Sequence, residues 1–265
     1  MKKRKMAILG TGGVASVMAD TISRMDSVEC WAVGSRSLEK AQAFAEKYGF
    51  QRAYGSYEEL AEDGETELVY IATPHSEHFE NAMLCIRNRK PVLCEKAFTA
   101  NAGQARELLA YAEQEGVFIT EAMWVRYMPM LETIRRELAD GVIGEPTMLT
   151  ANLGYLIDQV PRLQRPELAG GALLDVGVYP LNFARMLFGG QVARISSACT
   201  LTDTGVDEQD SITLFYEDGR VAQLAASMKG LSDRRGTVYG TKGFLVIENI
   251  NNFESMTVYD TGRRV

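Results

Sequence analysis

The chain has 265 residues but only two histidines and four cysteines. Cys30, Cys85, Cys94 and Cys199 are scattered, with no Cys-x-x-Cys pair, so neither a disulfide framework nor a thiolate metal site is expected. Reduced thiols in a cytoplasmic chain are the expected state. His75 and His78 lack the further ligands that zinc needs, and no metal is expected there. No apolar run reaches the length of a membrane span. The one basic block, Lys2-Lys3-Arg4-Lys5, leads into a glycine-rich turn, not into the apolar stretch and cleavage site of a signal peptide. The net charge is −7, which argues against nucleic acid as the main partner. Internal repeats and low-complexity tracts are also missing. What remains is a globular composition, 46% hydrophobic, long enough for one large or two ordinary domains.

The most informative stretch lies near the N-terminus. A short apolar run ends in Gly10-Thr11-Gly12-Gly13-Val14-Ala15, and a helical pattern follows. A strand that feeds such a turn into a helix N-terminus is suited to a pyrophosphate. Gly10 permits the tight turn, Gly12 lets the backbone approach the phosphates, and Ala15 is small enough for helix–strand packing. Dinucleotide sites that prefer NAD place a carboxylate at the end of the second strand, about 20 residues further on. Here that strand ends in Ser35-Arg36-Ser37, with no carboxylate until Glu39. A carboxylate would repel a 2′-phosphate, whereas Arg36 can pair with it and Ser35 and Ser37 can add donors. NADP(H) is therefore the expected cofactor. The plainer alternative makes Arg36 a solvated loop cation and Ser37 a helix cap.

Strand and helix patterns alternate through the first 121 residues. Strands are expected at Lys5–Leu9, Val28–Val33, Arg52–Tyr54, Leu68–Ala72, Val92–Glu95 and Val117–Thr120. This order predicts a doubly wound parallel α/β sheet of Rossmann type, whose ligands sit beyond the carboxyl ends of its strands. Thr73, Pro74, His75, Glu95, Lys96 and Glu121 fall at those ends. Residues 122–265 read differently. Helical patterns at Met128–Ala139 and Asp175–Leu187 accompany strand patterns at Thr147–Gly154, Val192–Leu201, Ser211–Tyr216, Val221–Ser227, Arg235–Gly240, Gly243–Glu248 and Ser255–Tyr259. Short turns between the later runs indicate hairpins, so this half is expected to be an α+β domain with an open, mainly antiparallel sheet.

Two segments carry candidate chemistry. Lys96 ends a buried strand, where an ammonium can bind a substrate oxygen and favour an alkoxide; a surface lysine is the plainer reading. Asp175 and Tyr179 are four apart and share a face if helical, among the apolar Leu174, Val176 and Val178. A phenol near a cationic Lys96 can give and take a proton, with its usual pKa of ~10 lowered by the charge. The alternative makes Asp175 a helix N-cap and Tyr179 a core aromatic.

These motifs, together with Glu121-Ala122-Met123-Trp124-Val125-Arg126-Tyr127 and Pro166-Glu167-Leu168-Ala169-Gly170-Gly171, resemble the glucose–fructose oxidoreductase, inositol dehydrogenase and rhizopine-catabolism (Gfo/Idh/MocA) family. Its branch of dimeric dihydrodiol dehydrogenases and NADP-dependent D-xylose dehydrogenases is the most similar. The resemblance implies hydride transfer between nicotinamide and a hydroxyl-bearing carbon of a sugar, dihydrodiol or related polyol. It also implies a homodimer formed through the second domain's sheet. Lys96, Asp175 and Tyr179 then become catalytic, with cofactor contacts from Gly10 to Ala15, Ser35, Arg36, Thr73, Pro74, His75, Glu95 and Lys96. Trp124 and Arg126 become pocket walls, and Arg162 reaches the substrate. The family's proline after the lysine is Ala97 here, so a trans peptide is expected, because a cis non-proline bond costs ~3 kcal/mol or more. Relatives continue beyond the position of Val265, so the second domain is expected to be short at its C-terminus. A non-catalytic nucleotide-binding regulator or an inactive relative is the alternative this leaves open.

Overall fold

The computed structural model describes residues 2–265. Contacts within the chain divide it into two units, one ending at Ala122 and the other spanning Met123–Val265.

In the first unit, β1 (Arg4–Leu9), β2 (Val28–Gly34), β3 (Arg52–Tyr54), β4 (Leu68–Ile71), β5 (Val92–Cys94) and β6 (Ile119–Glu121) form one sheet in the order β3-β2-β1-β4-β5-β6. Every pairing is parallel. Helices α1 (Gly13–Ile22), α2 (Leu38–Tyr48), α3 (Tyr57–Glu62), α4 (His78–Arg87) and α5 (Ala102–Glu115) connect the strands. β1 shows why a parallel sheet reads as a continuous apolar run. Ala7 and Leu9 face one core with Leu60, Ile86 and Leu108, while Met6 and Ile8 face another with Ala15, Ala19 and Phe44. The helices start and stop on local chemistry. The Ser37 hydroxyl accepts the Lys40 amide at 3.4 Å, the Ser56 hydroxyl accepts that of Glu59 at 3.1 Å, and Asn101 Oδ1 accepts that of Gln104 at 3.0 Å. Gly49 and Gly116 end α2 and α5 with positive φ. Strand order reverses between β1 and β4, and that switch point is where such sheets hold ligands.

The second unit contains α6 (Pro129–Ala139), β7 (Pro146–Gly154), α7 (Val178–Phe188), β8 (Val192–Leu201), β9 (Asp207–Tyr216), β10 (Val221–Ser227), β11 (Gly236–Gly240), β12 (Gly243–Glu248) and β13 (Ser255–Asp260). Its sheet runs β13-β12-β11-β7-β10-β9-β8. All its pairs are antiparallel except β7 with β10. One face is core: Leu149, Leu214, Leu224, Val238 and Leu245 are buried together with Phe183 and Ala184 of α7. The opposite face is open and carries Phe215, Tyr239, Phe244 and Tyr259.

Several boundaries differ from the sequence reading. β6 covers Ile119–Glu121 instead of Val117–Thr120. β9 starts at Asp207, because the polar run Asp207–Asp210 shows no alternation and yet pairs with β8 through a bulge. The helix expected from Asp175 begins as a π-helical turn, Leu173–Gly177, and becomes α-helical at Val178.

Candidate active site

The first unit positions the glycine turn at the switch point. Gly10 has φ +105°, and a Cβ there would meet the Ala72 carbonyl oxygen at 2.7 Å, so the end of β4 leaves room for glycine only. Gly12 is the N-cap of α1, capped by no described side chain, and the first turn of the helix has no acidic residue. A Cβ on Gly12 would meet no described atom within 4 Å. The space before the helix is thus open, its amides lack a protein acceptor at the cap, and the positive end of the helix faces it. These features fit the pyrophosphate of a dinucleotide. Ala15 is fully buried against the sheet.

After β2, Ser35 is buried, its amide bonded to the Tyr54 carbonyl at 3.1 Å. Ser37 caps α2 as described above. Arg36 is exposed and lies beside Tyr57, whose pKa burial raises and the Arg36 guanidinium opposes. An open cavity of about 560 Å³ brings Thr11, Gly12 and Ser16 together with Lys40 and Lys47 of α2. Lys40 is a cation the sequence reading missed. It stands in the first turn of α2, just beyond the Ser37 cap that follows Arg36, and that closeness in sequence was the available signal.

The ends of β4, β5 and β6 hold the segment around Lys96. The Glu95 carboxylate accepts the Tyr70 hydroxyl on Oε1 and the Lys96 amide on Oε2, the latter at 3.2 Å. Burial raises the Glu95 pKa against these bonds and the Lys96 charge. The Phe98 amide donates to Glu121 Oε1 at 3.0 Å. His78, fully buried, places Nδ1 2.7 Å from the Ala97 carbonyl and Nε2 2.9 Å from the Thr73 carbonyl. Burial lowers its pKa, against the two carbonyls that favour the proton. Asn81, one turn later, donates to Thr73 Oγ1 at 3.1 Å. The Lys96–Ala97 peptide is cis, which corrects the trans expectation. The cost that favours trans is that of an isolated peptide bond, whereas here α4 and β6 supply partners to the backbone on its C-terminal side. His78 and Asn81 position this backbone and were not among the expected site residues, because their partners lie in other segments. Pro74 precedes a short 3₁₀ turn, His75–Glu77, in which His75 is buried.

In the second unit, Asp175 and Tyr179 are both buried, on either side of the junction between the π-helical turn and α7. Asp175 is not the cap of the helix: Gly177 is the N-cap of α7, and the Asp175 carboxylate accepts Arg162 at 2.8 Å. Arg162 is thereby fixed to a proposed catalytic residue. Arg126 Nε donates to Asn182 Oδ1 of α7 at 2.8 Å, and Trp124 is half exposed. Among the described residues no group of three or more His, Cys, Asp or Glu is placed to hold a metal ion. No described helix is long and apolar enough to cross a membrane.

An uncapped glycine turn at the switch point of a 3-2-1-4-5-6 sheet, followed by an α+β unit, defines a dinucleotide-binding oxidoreductase. Residues 4–123 match the family described as "Oxidoreductase family, NAD-binding Rossmann fold", and residues 131–246 match the "GFO/IDH/MocA C-terminal domain". The chain is 37% identical over 249 residues to trans-1,2-dihydrobenzene-1,2-diol dehydrogenase of Mus musculus, covering 93% of this chain and 75% of that protein. For the Homo sapiens protein of the same name the identity is 39% over 219 residues, covering 82% and 66%. KijD10, a 3-ketoreductase from Actinomadura kijaniata solved with NADP and TDP-benzene, has the same fold, with a TM-score of 0.89 at 24% identity over 98% of this chain and 85% of that one. Aldose-aldose oxidoreductase from Caulobacter crescentus gives 0.87 at 23% identity, over 97% and 80%. The chain belongs to the GFO/IDH/MocA oxidoreductase family.

Proposed function

We propose that this protein is an NADP(H)-dependent oxidoreductase that transfers hydride between nicotinamide and a hydroxyl-bearing carbon of a trans-dihydrodiol, a sugar or a related polyol. The unit ending near Ala122 binds the dinucleotide, and the unit that follows supplies substrate contacts. Gly10 to Ala15 hold the pyrophosphate on the first turn of α1, and Ser35, Arg36 and Lys40 receive the 2′-phosphate. Thr73, Pro74, His75, Glu95 and Lys96 hold the nicotinamide end. When bound, the nicotinamide supplies a hydride acceptor or donor at C4.

The chain's own residues handle the proton. In the oxidative direction Tyr179 takes the hydroxyl proton, and the Lys96 ammonium favours the alkoxide electrostatically. Asp175, held by Arg162, orients the substrate. Trp124 and Arg126 wall the pocket. The supporting observation is the set of side chains spent on fixing the backbone around Lys96: Glu95, His78 and Glu121 each bond a different backbone group there. A solvated surface lysine needs no such support. The substrate class is supported by the names of the relatives at 37–41% identity. A homodimer through the open face of the second sheet and a cytoplasmic location complete the proposal.

Initial rates with NADP⁺ and NAD⁺ against trans-dihydrodiols, aldoses and inositols test this reading. NADP⁺-dependent turnover of one class is expected, and Lys96→Met and Tyr179→Phe should each lower kcat at least a hundredfold while NADPH binding changes little. Retained turnover in both variants refutes the assigned roles.

A further inference from the structure

Asp207 and Asp210 open β9 three positions apart, a spacing that sends two side chains to opposite faces of a regular strand. The ladder slips at this point. Leu201 pairs with Asp207 and Thr200 with Gln209, so β9 carries one extra residue between them. The bulge turns both carboxyls to the core face, where Asp210 pairs with the buried Ala226. Asp207 Oδ2 accepts the Leu173 amide at 2.5 Å, the first N–H of the π-helical turn that carries Asp175. Asp207 Oδ1 occupies the place of a Gly171 side chain, 2.1 Å from where its Cβ would stand, and Gly171 has φ +104°. Asp207 is therefore seated beneath the Gly170-Gly171 turn and fixes the start of the segment leading to Tyr179.

Asp210 Oδ2 is buried and has no hydrogen-bond donor among the described residues. The bulge puts Asp207 on the same face of β9 as Asp210, and the Asp207 carboxyl is the charged neighbour that acts on it. Two adjacent carboxylates cannot both keep full charge in such a place, and a proton held between them satisfies both.

We propose that Asp207 and Asp210 form a proton-sharing carboxyl pair that positions the Leu173–Gly177 turn, and that loss of the shared proton drives the two carboxylates apart, shifting Leu173 with Asp207 and misplacing Asp175 and Tyr179. The inference rests on the catalytic reading of those two residues. With the proton in place the pair carries one negative charge, matched by the Leu173 amide and the positive end of the helical turn. Without it two negative charges repel at close range. Burial, with the Asp207 carboxylate beside it, raises the Asp210 pKa to about 7, so the change falls near neutral pH. The surrounding groups leave Asp207 as the charged neighbour that acts on Asp210. Across the ladder stand Cys199 on β8 and Ala226 on β10, and Glu208 on β9 is tied to Lys229 at 3.0 Å.

The test follows the Leu173 amide shift by ¹⁵N–¹H NMR and kcat from pH 5.5 to 9, in the native protein and in Asp210→Asn. One shared step near pH 7 is expected in the native protein, with kcat falling about tenfold per pH unit above it. Asparagine supplies a permanent donor to Asp207, so the step should vanish or move by more than one pH unit in both readouts. A native Leu173 amide that does not titrate overturns the proposal, as does a step unchanged in Asp210→Asn. If the amide titrates but kcat does not follow, the link to catalysis is refuted. If the amide titrates as expected and no substrate turns over, the pair stands and the enzymatic reading fails instead.

Discussion

Arg36 stands exposed at the end of β2, where an NAD-specific site places a carboxylate. Arg36→Ala is expected to weaken NADP⁺ binding at least tenfold and to leave NAD⁺ binding within about twofold, measured by fluorescence titration; ten-fold is about 1.4 kcal/mol. Equal loss for both cofactors would remove the NADP assignment. At this scale the sequence was partly legible. The Gly10 turn and the Ser37 cap follow from local chemistry that needs few neighbours, and Ser37 turns out to be the helix cap that the plainer alternative described. His78 was not legible. Its role depends on carbonyl oxygens from two other segments, which no spacing within α4 discloses. The cis peptide at Lys96–Ala97 escaped for a related reason: sequence shows the cost of the bond but not the partners around it.

The glycine turn lets two glycines of one motif be separated by experiment. Gly10→Ala forces a side chain into positive φ and against the Ala72 carbonyl, and should lower unfolding stability by more than about 1 kcal/mol. Gly12→Ala meets open space and should cost less than that, while weakening dinucleotide binding because a methyl then stands before the helix N-terminus. Thermal melts with and without NADPH check both; equal destabilisation by the two would contradict the division of labour. The strands of the first unit were legible almost to their ends, because residues buried on both faces leave unbroken apolar runs. The π-helical turn at Leu173–Gly177 was not, since a π turn uses the same residue types as an α turn and differs by one hydrogen-bond register. The Asp207 bulge was hidden likewise, in a polar run without alternation.

For the whole molecule, the open face of the second sheet bears most directly on assembly. Phe244 and Tyr259 stack with ring centroids 4.7 Å apart, Tyr239 packs at 6.1 Å from Phe244, and Arg194 lies over Phe215 at 3.7 Å. No described element of that unit covers this face. An aromatic surface on an antiparallel sheet suits a second copy of itself. Sedimentation should give twice the chain mass for the native protein and the single-chain mass for Phe244→Glu; a native monomer would refute the dimer. The two-part division was legible as a change of pattern after about residue 121, from strands spaced by helices to strands spaced by tight turns. The pairing of β7 with β10 was not, because a parallel pair inside a hairpin sheet leaves no mark on either strand.

That pairing has a consequence for how the protein is made. β7 is the first strand of its sheet to leave the ribosome, yet it lies in the middle, and both its partners, β10 and β11, are translated after Val221. Until then Leu149, Ala151 and Leu153 have no sheet around them. The first unit, whose strands each find a partner early, can close during synthesis, while the second must wait with its central strand unclad. A nascent chain paused between Gly154 and Val221 is thus the stage at which the central strand of this sheet stands without partners and is open to aggregation.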